Sequence, residues 1–505
     1  MIARVSTFAV EGVEARRVWV EADIRLGLPA FTVVGLADKA VREARERVRS
    51  AMMNSGYEFP QRRITVNLAP AYLRKVGPAF DLPLAVALLV ASAQLEAEVI
   101  ESCAIVGELS LTGEVRPVRG ALAVAEGVRR HQLARLVLPL SRAREAALVP
   151  DIEVVGIESL VDLVATLRGD AAPAGLPAAQ PDAASEVLDL ADVRGHNALI
   201  PGLEAAAAGG HNLFLQGPPG TGKTMIARRL PSILPPLTPD EAIEVTRIQS
   251  IAGLRGAGGL VTDRPFRAPH HTVSAAGLVG GANPPQPGEA TLAHRGVLFL
   301  DELSEFARPS LEALRQPLED GHVTIVRGQQ VMVFPTRFML VAASNPCPCG
   351  HGGGSRCQCG PGDLQRHRRR LSGPLLDRID ILMRVERPAS DALRRQAAPA
   401  SATVRERVIA ARERQSARLA GYPETCNAQL TSRQIREVGQ IAPSALRLLG
   451  ELYDRHRLSA RGHTRILRVA RTVADLDESA MVSPEHISIA ASLRLDDSPP
   501  LAEAA

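Results

Sequence analysis

Aromatic residues are scarce in this chain. They make up 3% of its 505 residues, with one tryptophan, Trp19. This argues against recognition of single strands by stacking bases on aromatic platforms, and tracking of a phosphate backbone fits better. Lysine is scarce too: Lys39, Lys75 and Lys223 are the three lysines among 59 basic residues. A compositional preference for arginine accounts for the surface. It also makes a retained lysine informative wherever a compact, mobile ammonium is needed. No run approaches the roughly 20 apolar residues that span a bilayer. The longest, Leu82 to Ala93, is interrupted by Pro83 and Ser92. The opening MIARVSTFAVEG lacks the basic-then-apolar pattern of a secretion signal. The expectation is a cytoplasmic protein with no membrane partner.

What is present suggests a soluble, several-part machine. The length predicts about three domains. A net charge of +4 is too small to establish a nucleic-acid partner by itself. Residues 1–168 alternate short apolar runs with helical patterns, such as the strand Ile64–Leu68 and the helix Lys39–Met53, which predicts a mixed α/β domain. Residues 169–186, rich in Ala, Pro, Asp and Gly, read as a linker. Residues 187–388 again alternate strands and helices, and 389–505 are helical in texture. Ser483, Pro484 and Glu485 mark one helix start there.

The sharpest motif follows the apolar run Asn212–Gln216. Gly217, Pro218, Pro219, Gly220, Thr221, Gly222, Lys223 and Thr224 form a strand–loop–helix phosphate cradle. The glycines let backbone N–H groups turn inward, and the helix N-terminus adds its positive dipole end. Lys223 is expected to reach the β- and γ-phosphates of ATP, and the Thr224 hydroxyl to ligate Mg²⁺. Val297–Leu300 is a second apolar strand ending in Asp301 and Glu302. Carboxylates there face the ligand crevice of an α/β sheet. Asp301 is expected to bind Mg²⁺, through water, and Glu302 to orient and deprotonate the attacking water. A third strand, Phe338–Ala343, leads to Asn345. Its amide either positions that water and senses the γ-phosphate or forms a turn before Pro346.

The order of loop, acidic strand and Asn strand resembles the AAA+ ring ATPases. Residues 267–303, RAPHHTVSAAGLVGGANPPQPGEATLAHRGVLFLDEL, and the stretch Ser372–Asp380 resemble the magnesium-chelatase-like branch, and most closely the YifB/ComM family. The resemblance spans essentially the whole chain. It implies an α/β fold: an AAA+ P-loop domain with a helical lid, preceded by a Lon-protease-like (ribosomal S5 domain 2-like) α/β domain. It implies that Arg378 is a finger reaching the γ-phosphate held by a neighbouring subunit, and that Arg461 is a sensor arginine on the lid. A finger implies a ring, and the family expectation is a hexamer. Arg461, Arg465, Arg468 and Arg471 also recur at helical spacing. For at least half of them the expectation is a solvated face.

Residues 61–140 resemble the proteolytic domain of Lon through Val66–Pro70, Gly77–Ala79 and Gly107–Val118. Its serine nucleophile and lysine base would fall at Ala79 and Leu122, neither of which can do that chemistry. Fold without proteolysis is expected.

Six cysteines are present, and Cys347, Cys349, Cys357 and Cys359 crowd one short stretch. In a reducing compartment this suggests metal or thiol chemistry before disulfides. Four thiolates can form a tetrahedral Zn²⁺ site; reduced cysteines in a loop are the alternative.

Val323–Val326 and Val331–Phe334 flank a Gly-containing turn and predict a β-hairpin. In related ring helicases such a hairpin points into the pore. Arg327, Gln329 and Gln330 are thus candidate DNA contacts, and Arg366, Arg368, Arg369 and Arg370 form a second basic candidate. The resemblance implies a hexameric DNA helicase promoting branch migration during homologous recombination and natural transformation. A protein-remodelling chaperone or chelatase-like motor without a DNA track is the alternative.

Overall fold

A computed structural model describes residues 2–35, 38–176, 188–254, 259–281, 285–327, 330–352, 357–371, 375–390, 392 and 397–494. Most of the expected linker, 177–186, lies outside these residues, as do Gly328, Gln329 and Ser372–Pro374.

The first part of the chain builds a seven-stranded mixed sheet. Its spatial order is Ala30–Val34, Arg63–Ala69, Glu14–Arg25, Ile2–Glu11, Cys103–Ile105, Arg135–Pro139, Glu153–Ile157. Long strands here alternate buried and part-exposed positions, as expected of a sheet covered unequally on its two faces. The longest apolar run is a core helix: every residue of Asp81–Ala91 is buried. Its one acid, Asp81, receives a bidentate pair of bonds from Arg47 at 2.7 and 2.9 Å. Burial nonetheless raises the Asp81 pKa to about 6. Among the described residues, no helix is long and apolar enough to cross a membrane.

A second sheet has five strands, in the order Phe266–Arg267, Val297–Leu300, Met339–Ser344, Leu213–Gln216, Ile381–Arg384. Every pairing is parallel. Val297–Leu300 and Met339–Ser344 are buried throughout. This is why they read as unbroken apolar runs: a parallel strand covered on both faces has no polar side. The chain's first strand in this sheet, Leu213–Gln216, lies between strands that come fourth and fifth in sequence. That reversal opens a crevice at the carboxyl ends, where ligands of such sheets bind.

The two sheets are joined through the helix Pro239–Ala252. Its Ile251 is buried in a cluster with Phe8, Leu122 and Val124. Its Ser250 hydroxyl donates to Glu145, which also accepts the Leu122 N–H at 2.9 Å.

The remainder is helical: Ser401–Arg418, Ser432–Val438, Pro443–Arg455, Ala460–Leu476 and Pro484–Ser492. The last begins at Ser483, as the sequence predicts, with His486 completing the capping box. The arginine stripe departs from its expectation as a solvated face. Arg465 and Arg471 are buried, Arg468 is half-buried, and Arg461 alone of the four is exposed. A counter-charge from elsewhere in the chain for Arg465, and one from the same helix together with loop carbonyls for Arg471, explain the difference. Arg471 pairs with Asp475 at 3.0 Å and donates to carbonyls of Gly439, Ser479 and Ala480. Arg465 pairs with Asp380 at 3.3 Å.

Candidate nucleotide site

Parallel register brings the motifs together. Gln216 is level with Ser344, and Leu300 with Ala342. The residues that follow each strand, Gly217, Asn345 and Asp301, therefore emerge side by side. The loop from Gly217 fits an anion cradle. Gly220 and Gly222 have φ of 74° and 90°, left-handed values that let N–H groups face inward. At Gly217 a Cβ would lie 2.0 Å from the Val385 carbonyl oxygen, so no side chain is tolerated there.

Lys223, the first residue of the helix Lys223–Arg229, is buried. Its Nζ donates to the carbonyls of Gly217 and Pro218 at 2.7 and 2.9 Å and to Asn345 Oδ1 at 3.1 Å. Desolvation lowers its pKa, while Asp301 and Glu302 act in the opposite direction. Thr224 Oγ1 donates to Asp301 Oδ2 at 2.6 Å. An ammonium, a hydroxyl, a carboxylate and inward N–H groups are the donor set that a magnesium-bound triphosphate requires, so the residues present fit that ligand.

Glu302 follows with φ 52° and ψ 50°, uncommon for a residue with a side chain. Its carboxylate is 3.6 Å from His271 Nδ1. His271 also lies close to His270, with ring centroids 4.1 Å apart. No sequence pattern marks this histidine out, although it stands in the RAPHH stretch. His367, from the helix Pro361–Leu371, is likewise unmarked; its Nε2 sits 3.0 Å from the Asn345 carbonyl oxygen.

Arg378 and Arg461 are not brought to this loop. Arg378 ends a short turn before Ile381, whose partner is Leu213 at the opposite end of the strand that feeds the loop. It pairs there with Glu319. Arg461 is exposed in the first turn of Ala460–Leu476, beside Ser432, Arg436 and Tyr453. One turn on, Arg465 reaches Asp380, at that same far edge. Asp380 is buried. Burial opposes its charge, but the His211 hydrogen bond, followed by Arg465 and Arg468, holds its pKa below the usual value. A cavity of about 500 Å³ opens on this edge, lined by Arg264, Arg295, Arg378, Arg412, Arg465 and Arg468 among others.

Of the other candidates, the four cysteines converge, with Sγ atoms all within 4.8 Å of one another. The hairpin is present as His322–Arg327 paired with Gln330–Pro335. The side chains of Arg327 and Gln330, like all of Gln329, lie outside the described residues. Arg366, Arg369 and Arg370 are exposed on Pro361–Leu371, and Arg370 approaches Glu305 at 3.7 Å. The Arg368 side chain is likewise outside the described residues.

Comparison with known proteins decides the family. The chain is 44% identical over 502 residues to the YifB protein of Salmonella typhimurium, covering 98% of this chain and 97% of that protein. It is 41% identical over 500 residues to the competence protein ComM of Haemophilus influenzae, covering 98% and 97%. The chain belongs to the YifB/ComM family. Three family models agree: magnesium chelatase subunit ChlI over residues 189–393, subunit ChlI of Mg-chelatase over 20–142, and the ChlI C-terminal model over 398–494. This is the magnesium-chelatase-like branch of AAA+ proteins. A more distant relative, the magnesium-chelatase 38 kDa subunit of Acidiphilium rubrum, is 24% identical over 303 residues, 54% of this chain and 78% of that subunit.

Proposed function

We propose that this YifB/ComM member is a cytoplasmic ATP-hydrolysing ring motor that drives branch migration of DNA. The observation that carries the ATPase reading is the convergence of Lys223, Thr224, Asp301 and Asn345 from three neighbouring strand ends. Magnesium ATP is the substrate. Lys223 and the loop N–H groups hold its phosphates, and Thr224 and Asp301 hold the magnesium ion. Glu302 takes the proton of the attacking water, and Asn345 fixes the γ-phosphate's position. Arg378 and Arg461 serve a neighbour's nucleotide. Their place at the strand ends opposite their own loop supports this, since a finger in trans serves the next subunit's site rather than its own; Arg378, 10% exposed and paired with Glu319, leaves that partner to do so. Each copy then both holds a nucleotide and completes the next site, which requires head-to-tail closure into a ring, taken here as a hexamer.

In this reading residues 1–168 are a Lon-like domain without proteolysis, and 389–505 are the lid. Three observations support the loss of proteolysis. Ala79 replaces the nucleophile, and Leu122 is fully buried. The cleft around Gly77–Phe80 is also walled by Ile251, Gln286 and Met332 from the second part of the chain.

The DNA track rests on the identity with a competence protein and on the hairpin His322–Pro335, where Arg327 pairs with Gln330 next to the tip. A second reading, remodelling of protein complexes, is favoured by one feature of the same hairpin. Val326 and Val331 beside the tip are 62% and 61% exposed, and apolar side chains there suit a polypeptide. Strand exchange on forked and three-stranded DNA separates the two. The DNA reading expects displacement by the wild type, none by Lys223→Ala, and a clear loss in Arg327→Ala. ATP turnover with no displacement and no stimulation by DNA would favour the polypeptide track.

A further inference from the structure

We propose that Cys347, Cys349, Cys357 and Cys359 hold one structural zinc ion that fastens the loop leaving the phosphate-sensing strand against the nucleotide cradle. The sulfur spacing carries the argument. Cys347 and Cys349 Sγ are 3.4 Å apart, Cys347 and Cys357 3.8 Å, and Cys349 and Cys357 3.5 Å. A tetrahedral zinc with Zn–S bonds of about 2.3 Å places its sulfurs about 3.8 Å from one another. A disulfide needs about 2.05 Å. The cluster therefore has the dimensions of a shell around an ion rather than of a pair of crosslinks.

Backbone donors point the same way. The Gly352 N–H lies 3.1 Å from Cys347 Sγ, and the Cys349 N–H 3.4 Å from Cys359 Sγ. N–H groups aimed at sulfur stabilise the thiolate, which is the metal-binding form. Gly350 and Gly352, at φ 85° and 68°, supply the left-handed turns that wrap the chain between ligands. Four thiolates this close repel strongly unless a cation sits among them. Binding transfers the thiol protons to solvent and involves no electron transfer. Four protein ligands fill the tetrahedron and leave no open position for a water nucleophile, so the ion is structural rather than catalytic.

The location gives the ion its consequence. Cys347 is buried two residues after Asn345. A Cβ at Gly350 would lie 2.4 Å from Pro219 Cδ, so the loop rests directly on the cradle. Cys357 and Cys359 lead into the helix Pro361–Leu371, whose His367 touches the Asn345 carbonyl. Zinc thus ties both ends of the loop together, holding His367 on Asn345 and Gly350 on Pro219. This inference does not depend on what the motor moves.

The test is metal analysis of the full chain, purified under reducing conditions without chelator. About one zinc per chain is expected in the wild type. Full content is also expected in Lys223→Ala and in Cys426→Ser, which lies outside the cluster, whereas Cys357→Ser/Cys359→Ser should lose nearly all of it. Cobalt in place of zinc should give the sulfur-to-metal charge-transfer bands of a tetrahedral thiolate site in the wild type. The double variant should also bind a fluorescent ATP analogue severalfold more weakly. A wild type that carries neither zinc nor cobalt, or a double variant with undiminished zinc, would overturn the site. A zinc-free protein with unchanged nucleotide affinity and turnover would overturn the fastening role. Because the wild type is informative alone, a misfolded variant does not rescue the idea.

Discussion

Lys223 and Asn345 are 122 positions apart in sequence, yet the lysine ammonium donates to the asparagine side-chain oxygen at 3.1 Å. Parallel pairing of Leu213–Gln216 with Met339–Ser344 makes them neighbours. The lysine is satisfied by this amide and by the Gly217 and Pro218 carbonyls. In the proposed function, the oxygens of a triphosphate replace these acceptors on the lysine, which frees the amide for the γ-phosphate. Lys223→Ala should therefore abolish nucleotide binding and turnover together. Asn345→Ala should bind nucleotide almost normally but turn it over about 100-fold more slowly, the usual cost of losing one aligned transition-state donor. Binding of a fluorescent ATP analogue and steady-state phosphate release distinguish the two patterns.

Glu302 leans toward His271 at 3.6 Å, with its own backbone left-handed. A carboxylate held by a neighbouring imidazole must leave that contact before it can take a proton from water. A part-exposed pair of this kind is worth about 0.5–1 kcal/mol. His271→Ala should accordingly raise basal ATP turnover about two- to fivefold by freeing the carboxylate. Glu302→Gln should bind nucleotide and release almost no phosphate. A His271→Ala rate below the wild type would show that the histidine assists the carboxylate rather than restraining it.

The loop Gly217–Thr224, the acidic strand end and the Asn strand were legible because each motif sits where a buried apolar strand stops, and parallel sheets present such ends on one side. The longest apolar run was legible as non-membrane for a similar reason: Pro83 and Ser92 limit it to a core helix. The positions of Arg465 and Arg471 were not legible. Periodicity places them on one helix face, but their burial depends on groups brought from outside that helix: Asp380 for Arg465, and the Gly439, Ser479 and Ala480 carbonyls for Arg471, whose acid Asp475 lies four residues on in the same helix. His271 was missed because its contact requires the chain after Phe266–Arg267 to fold back over the Val297–Leu300 strand end, which no local pattern announces. The family resemblance makes Arg461 a sensor on the lid. Only packing of its helix against the far edge of the sheet reveals that it is remote from its own loop.

Asp475 is the hub of the helical region. It accepts from Arg418 through both carboxylate oxygens at 2.7 Å, pairs with Arg471, and accepts from Asn427 at 2.8 Å. Removing it strands two guanidinium groups, one of them Arg471 at 1% exposure. Asp475→Ala should cost about 3–5 kcal/mol, the penalty for uncompensating a buried ion pair. The check is the denaturant midpoint of the helical transition. A shift worth less than about 1 kcal/mol would place this node in the same class as exposed surface pairs.

Arg378 pairs with Glu319 at the sheet edge opposite its own cradle. Arg378→Ala should leave nucleotide binding intact while lowering turnover about 10³-fold or more, as removal of a trans finger does. Nucleotide affinity and phosphate release measured on the same preparation separate this outcome from simple loss of binding.

Mixing two inactive variants tests the shared site most directly. Lys223→Ala chains lack a working cradle but keep Arg378; Arg378→Ala chains keep the cradle but lack the finger. Co-assembled at equal amounts, random arrangement places an intact cradle beside an intact finger at about a quarter of the interfaces of a head-to-tail ring. The account predicts phosphate release rising toward that fraction of the wild-type rate. Mixtures that assemble into rings and stay as inactive as their separate components would contradict it.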